Sequence, residues 1–193
     1  MDVGMDYHTE CIQAALNYFY SIQSDNIYQN GLSYSNFGSV DLQGVELEVK
    51  YYLSPEIFLT GSSLYQTNKD EDGIKNTTPI ANFGAKFGVS YKSEENGLTV
   101  SLFDIYQGEL DDDRYSTTLN QSPDDYNILN FNSRLQLNDF FDWEPTDREV
   151  SLLFYVDNLL DEEIWLPNWG RTLNFSTPRT KGRTAYLGAE VSF

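Results

Sequence analysis

The chain has 193 residues and a formal net charge of −18, from 12 Lys and Arg against 30 Asp and Glu. That acid surplus excludes a nucleic-acid binder, since phosphate contact needs clustered Lys and Arg. A 40% hydrophobic and 15% aromatic content excludes a disordered chain, because it suffices to offset the ordering entropy.

Period two governs the sequence from its start, with side chains alternating between two faces. Asp2 to Tyr7 reads as the tail of one strand, followed by a tight turn at His8-Thr9-Glu10. Ile12 to Ile22 is the next strand, and Gln23 to Asn36 a long loop. From Val45 the apolar residues are Val45, Leu47, Val49, Tyr51 and Leu53, alternating with Glu46, Glu48, Lys50 and Tyr52. A tight link at Leu53-Ser54-Pro55 leads into a noisier strand, Ile57 to Gln66, and then a long link, Thr67 to Pro79. Ala81 to Tyr91 alternates Phe83, Ala85, Phe87 and Val89 with Gly84, Lys86, Gly88 and Ser90. Ser93 to Gly97 is short, Leu98 to Gln107 another noisier strand, and Glu109 to Asp125 long. Leu129 to Leu137 and Val150 to Val156 flank an intermediate connection, Asn138 to Asp147. A long link, Asp157 to Arg183, precedes the last strand, Ala185 to Phe193. No segment carries helical period, and no run approaches the ~18 apolar residues of a membrane-spanning helix.

About eight full strands and one partial strand of roughly ten residues each result, a length suited to a tilted bilayer crossing. Consecutive antiparallel strands place alternate links at opposite ends. The long links therefore share one end and the short turns the other, as in an outer-membrane barrel. Glu46, Glu48, Lys50, Lys86, Lys92, Arg134 and Glu190 lie within strands, where a dry core would make them costly and a wet lumen would not. Tyr51, Tyr91 and Phe193 at the short-turn end, with Tyr18, Tyr20 and Tyr65 at the long-loop end, form two aromatic girdles. The expected fold is all-β: an antiparallel, up-and-down transmembrane β-barrel segment in the bacterial outer membrane.

Little in the chain supports catalysis. The single histidine, His8, sits in an exposed turn and the single cysteine, Cys11, starts the next strand, without a pocket or an orienting third group. No enzyme activity and no cofactor are expected. Asn68 to Gly73 mimics the first half of a calcium loop, but Pro79 stands where the closing acid belongs. Asp111-Asp112-Asp113, with Glu109 nearby, reads as a solvated acidic loop. Trp165, Asn168, Trp169 and Arg171 cluster in the last long loop. Rings and amides of this kind suit a sugar or siderophore face; lid packing or interface anchoring would use the same residues.

The motifs add a family likeness. Asn36-Phe37-Gly38 with Gln43-Gly44-Val45-Glu46-Leu47-Glu48, then Val156-Asp157-Asn158-Leu159-Leu160-Asp161-Glu162, then Pro178-Arg179-Thr180, and finally Gly188-Ala189-Glu190-Val191-Ser192-Phe193 stand in order. Together with Leu16-Asn17-Tyr18-Phe19-Tyr20-Ser21, they make the chain resemble the C-terminal part of TonB-dependent outer-membrane receptors. The resemblance implies a barrel of about 22 strands closed by an N-terminal plug, of which residues 1–193 would supply the C-terminal portion. It implies energised uptake of a scarce small molecule of siderophore, cobalamin or glycan type. It implies TonB as a partner only through the missing N-terminal part, outer-membrane lipid around the wall, and Phe193 as the signal read by the barrel-assembly machinery.

Met1 to Asp6 is acidic and has no apolar run behind it, so an exported chain of this kind is expected to be the tail of a longer precursor. Two other readings compete. From Cys11 onward eight strands could close a small complete barrel with a structural or adhesive role. A soluble ligand-binding β-sandwich would also alternate, but would not sort its loops by length.

Overall fold

The computed structural model describes residues 1–24, 27–30, 33–36, 38–73, 75, 80–109, 124–143, 148–167, 176–178 and 181–192. The strands in chain order are β1 (Asp2–His8), β2 (Ile12–Gln23), β3 (Ile27–Asn30), β4 (Ser33–Asn36), β5 (Val40–Tyr52), β6 (Ile57–Asp70), β7 (Phe83–Ser93), β8 (Leu98–Gln107), β9 (Tyr126–Gln136), β10 (Glu149–Asp157), β11 (Trp165–Pro167), β12 (Ser176–Pro178) and β13 (Thr184–Ser192). One helical turn, α1 (Leu137–Phe140), follows β9. Nine strands form a single sheet in the order β1-β2-β5-β6-β7-β8-β9-β10-β13, each antiparallel to its neighbours. The fold is the all-β meander expected from period two.

The register sorts the side chains into two faces. One row runs Met5, Leu16, Leu47, Ser63, Ala85, Tyr106 across six strands. The row displaced by one residue runs Asp6, Ala15, Glu48, Ser62, Lys86, Ile105. The first face is apolar yet exposed: Leu47 is 40%, Phe87 57% and Leu187 80% accessible. Its tyrosines lie toward the two ends, with Tyr18 and Tyr65 near the long loops and Tyr51 and Tyr91 near the short turns. The second face is polar and concave. It holds a trough of about 460 Å³ lined by Asp6, His8, Glu48, Lys50, Ser62 and Lys86 among others. An ordinary soluble domain would bury the apolar face, since contiguous exposed patches of that size mark an interface.

The short links are residues 9–11, 53–56 and 94–97, and the long ones leave from the opposite end. The expected loop sorting holds, with three corrections. The stretch read as a loop from Gln23 to Asn36 contains the β3–β4 hairpin, and the last long link contains the β11–β12 hairpin. The connection after β9 starts with a helical turn although no helical period precedes it. Asn138 holds that turn: its Nδ2 donates to Arg148 O at 3.0 Å, and its Oδ1 accepts from Val150 N at 2.8 Å.

Closure of eight strands from Cys11 onward is also corrected. It would require β2 to pair with β13, but β2 is occupied by β1 on one side and β5 on the other. β13 pairs with β10 alone among the described residues. Phe193 lies outside the described residues.

Gly44 has a packing reason. A Cβ placed there would stand 2.5 Å from Phe19 Cζ and 2.6 Å from Tyr65 O. The Phe19 ring covers the glycine from its paired position on β2 and leaves it buried, as an aromatic ring laid over a strand glycine does. Gly44→Val is expected to cost about 1–3 kcal/mol through overpacking, read as a lower urea midpoint. Adding Phe19→Ala should restore only part of the loss, because the Tyr65 carbonyl remains.

Candidate functional site

Two aromatic side chains meet on the concave face at the end that carries the long loops. There β10 and β13 place Tyr155 opposite Tyr186, with ring centroids 5.9 Å apart and a tilt of 34°. Lys181 Nζ lies 5.9 Å from the Tyr186 ring centroid and donates to its hydroxyl at 3.3 Å. Tyr155 OH donates to Asp157 Oδ1 at 3.5 Å. Two phenols and an ammonium offer flat contact area, hydroxyls and one positive charge to a ligand above the sheet.

The loop stem beside them is held by Asn158, which is fully buried and has a left-handed backbone, φ 54°. Asparagine tolerates that region better than most residues. Its N–H donates to Asn130 Oδ1 at 2.9 Å, its Nδ2 to Glu162 O at 2.8 Å, and its Oδ1 accepts from Glu162 N at 2.9 Å. Three residues on, Asp161 Oδ1 accepts from Arg183 N at 2.7 Å, and its carboxylate lies 3.7 Å from the Arg183 guanidinium. The Asn158–Glu162 motif therefore joins the end of β10 to the start of β13.

Trp165 opens β11, is half-buried and donates from Nε1 to Glu163 Oε1 at 3.2 Å. Asn168, Trp169 and Arg171 lie outside the described residues, as does the acidic run at 111–113. Sequence reasoning did not single out Tyr155 and Tyr186. Their signal was their place on the polar set of β10 and β13 near the loop ends, where aromatics break the pattern. His8 ends β1 on the trough wall and Cys11 is exposed beyond it, both at the short-turn end. Among the described residues no three His, Cys, Asp or Glu side chains come together as a metal site would require.

On the concave face Arg134 bridges to Glu190 at 3.2 Å, spanning β9 to β13. The pair is half-exposed, so solvent screening leaves it a small share of stability. On the apolar face, Tyr18 OH donates to Gln43 Oε1 at 3.3 Å, Tyr20 OH to Asp41 Oδ2 at 3.2 Å and Tyr106 OH to Asp125 Oδ2 at 3.2 Å. All three hydroxyls face polar groups toward the long-loop end. A ring whose one end is apolar and the other wet suits a membrane boundary.

Comparison with known proteins agrees with this geometry. The family described as TonB dependent receptor-like, beta-barrel, matches residues 1–159. No curated protein matches the sequence. Among solved structures, the chain is similar to the copper transporter OprC, with a TM-score of 0.74 at 19% identity over 100% of this chain and 30% of that one. It is similar to the ferric yersiniabactin uptake receptor FyuA from Yersinia pestis, with a TM-score of 0.69 at 19% identity over 98% of this chain and 28% of that one. It also matches the unliganded ferric citrate transporter FecA, with a TM-score of 0.74 at 15% identity over 98% and 30%. The chain thus spans under a third of the length of these structures. With the nine-stranded sheet, its two faces and a family match over residues 1–159, the chain belongs to the TonB-dependent receptor β-barrel family.

Proposed function

We propose that this chain forms the C-terminal part of the barrel wall of an outer-membrane receptor that imports a scarce small molecule. The ligand would be of siderophore, metal-complex, cobalamin or glycan type. The observation that carries this reading is the sheet with an exposed apolar outer face and a polar concave inner face. Lipid would cover the first, and a plug and the ligand path would occupy the second.

Strand parity supports a larger barrel. With nine strands, β1 and β13 both run from the long-loop end to the short-turn end. They cannot pair antiparallel with each other, nor with the edges of a second copy inserted the same way. An odd number of further strands is needed, and a barrel of about 22 leaves 22 − 9 = 13. Open edges are not tolerated within a bilayer.

In this reading TonB acts through an N-terminal part of the receptor, and Phe193 guides the barrel-assembly machinery. Tyr155, Tyr186 and Lys181 line the upper ligand path, to which Trp165, Asn168, Trp169 and Arg171 also contribute. Catalysis plays no part. The chain is expected in the outer-membrane fraction, extractable only with detergent, with a heat-modifiable band on an unboiled SDS gel when the remainder of the barrel is present. A monomer soluble in plain buffer would overturn the reading.

A further inference from the structure

The connection between β9 and β10 differs in chemistry from the other described links at the short-turn end. Residues 9–11, 53–56 and 94–97 contain no aromatic side chain. This one carries Phe140, Phe141 and Trp143, which are 52%, 56% and 49% exposed. They pack on one another. Phe140 and Phe141 meet edge to face at 5.0 Å, and Phe141 stacks on Trp143 at 5.6 Å with 16° between planes.

Their height relative to the apolar band is set by the fold. Leu135, on the apolar face of β9, stands two residues before α1. Val150, on the apolar face of β10, donates its N–H to Asn138 within α1. The chain that carries the aromatic cluster therefore leaves the sheet directly below the edge of the band. One helical turn rises about 5.4 Å, and the headgroup layer beyond the hydrocarbon is roughly 5–8 Å deep on each side.

We propose that Phe140, Phe141 and Trp143 form a foot seated in the headgroup layer of the phospholipid leaflet at the short-turn end. This rests on the membrane-wall reading above. Three reasons select lipid as the occupant. The cluster follows within a few residues of the apolar face of β9 and lies at headgroup depth. Its rings are the residue types that favour that layer. Asp139 and Asp142 beside them suit contact with zwitterionic headgroups rather than capture of an anionic surface.

The test uses native outer-membrane fragments containing the chain. Cys11, exposed in the 9–11 turn at the same end, is the water-facing reference. In a Cys11→Ser background, Trp143→Cys, Phe140→Cys and Leu47→Cys are each treated with a charged maleimide and with a lipid-soluble one. Trp143→Cys and Phe140→Cys should react with the charged reagent about tenfold or more slowly than Cys11, and readily with the lipid-soluble one, as lipid-seated groups do. Reaction with the charged reagent at the Cys11 rate would place the cluster in water and overturn the foot. Shielding from both reagents would mean a protein cover and would also overturn it. Leu47→Cys separates the two readings. If it too reacts like Cys11, the membrane wall itself fails; if it is shielded while the cluster reacts, only the foot fails. The two cluster positions are read independently, so loss of one variant from the membrane leaves the other decisive.

Discussion

Asn158→Ala is expected to destabilise the folded wall by about 3 kcal/mol, from two lost hydrogen bonds and an unfavourable backbone. The lost bonds are those of its side chain with Glu162 N and Glu162 O. Alanine must also hold φ 54° without asparagine's tolerance of that region. Asn158→Gly separates the two contributions. It accepts the positive φ freely and loses only the bonds, so about 2 kcal/mol is expected. Asn130→Ala removes the acceptor for the buried Asn158 N–H and should cost about 2 kcal/mol, because an unsatisfied buried donor remains. The double variant should fall short of the sum, since both residues serve one hydrogen-bonded unit. The urea concentration at which the membrane-borne chain loses its heat-modifiable band provides the readout. Equal midpoints for Asn158→Ala and wild type would reject the Asn158 knot as a stabilising element.

Leu47→Arg should cost about 2–4 kcal/mol, the price of a cation on the lipid face of a barrel near the bilayer midplane. Leu47 lies in the middle of β5, between Leu16 on β2 and Ser63 on β6. Glu46→Arg, one residue away on the same strand, should change stability by no more than about 0.5 kcal/mol, as an exposed substitution does. Glu46 belongs to the polar concave face, opposite Asn17 and Leu64. The contrast between adjacent residues is the diagnostic. In a water-soluble sheet with this open apolar face, both arginines would be solvated and both variants would be recovered equally. Outer-membrane yield at fixed expression separates the cases: Leu47→Arg should be depleted and Glu46→Arg retained.

Much of this architecture was legible from the residues. The bounds of β8, Leu98–Gln107, match the expected strand, and β10, Glu149–Asp157, differs by one residue at each end. β5 starts earlier than expected, at Val40. Asp41 and Gln43 put polar side chains at its upper end on the otherwise apolar face, so the alternation begins only at Val45. β6 read as noisy for a similar reason. Gly61 and Ser63 fall on its apolar face while Phe58 and Leu64 fall on the polar one. β8 likewise carries Asp104 among Leu98, Val100 and Leu102 on the apolar face.

The sequence alone determined the strand period, the two faces and the sorting of long and short links. Each follows from the environment of single residues along one strand, which alternation reports directly. Only the tertiary structure decided the rest. The β3–β4 and β11–β12 hairpins are too short to carry a period of their own. Asn158 reads as an ordinary turn residue until Asn130, 28 positions earlier, is brought against its N–H. Tyr155 and Tyr186 become one surface only when β13 pairs with β10 across the last long link. That β2 is flanked by β1 rather than β13, leaving two edges that run the same way, is likewise a property of strand pairing. Alternation records which side of a strand meets water, but pairing between distant segments is chosen by the sheet as a whole.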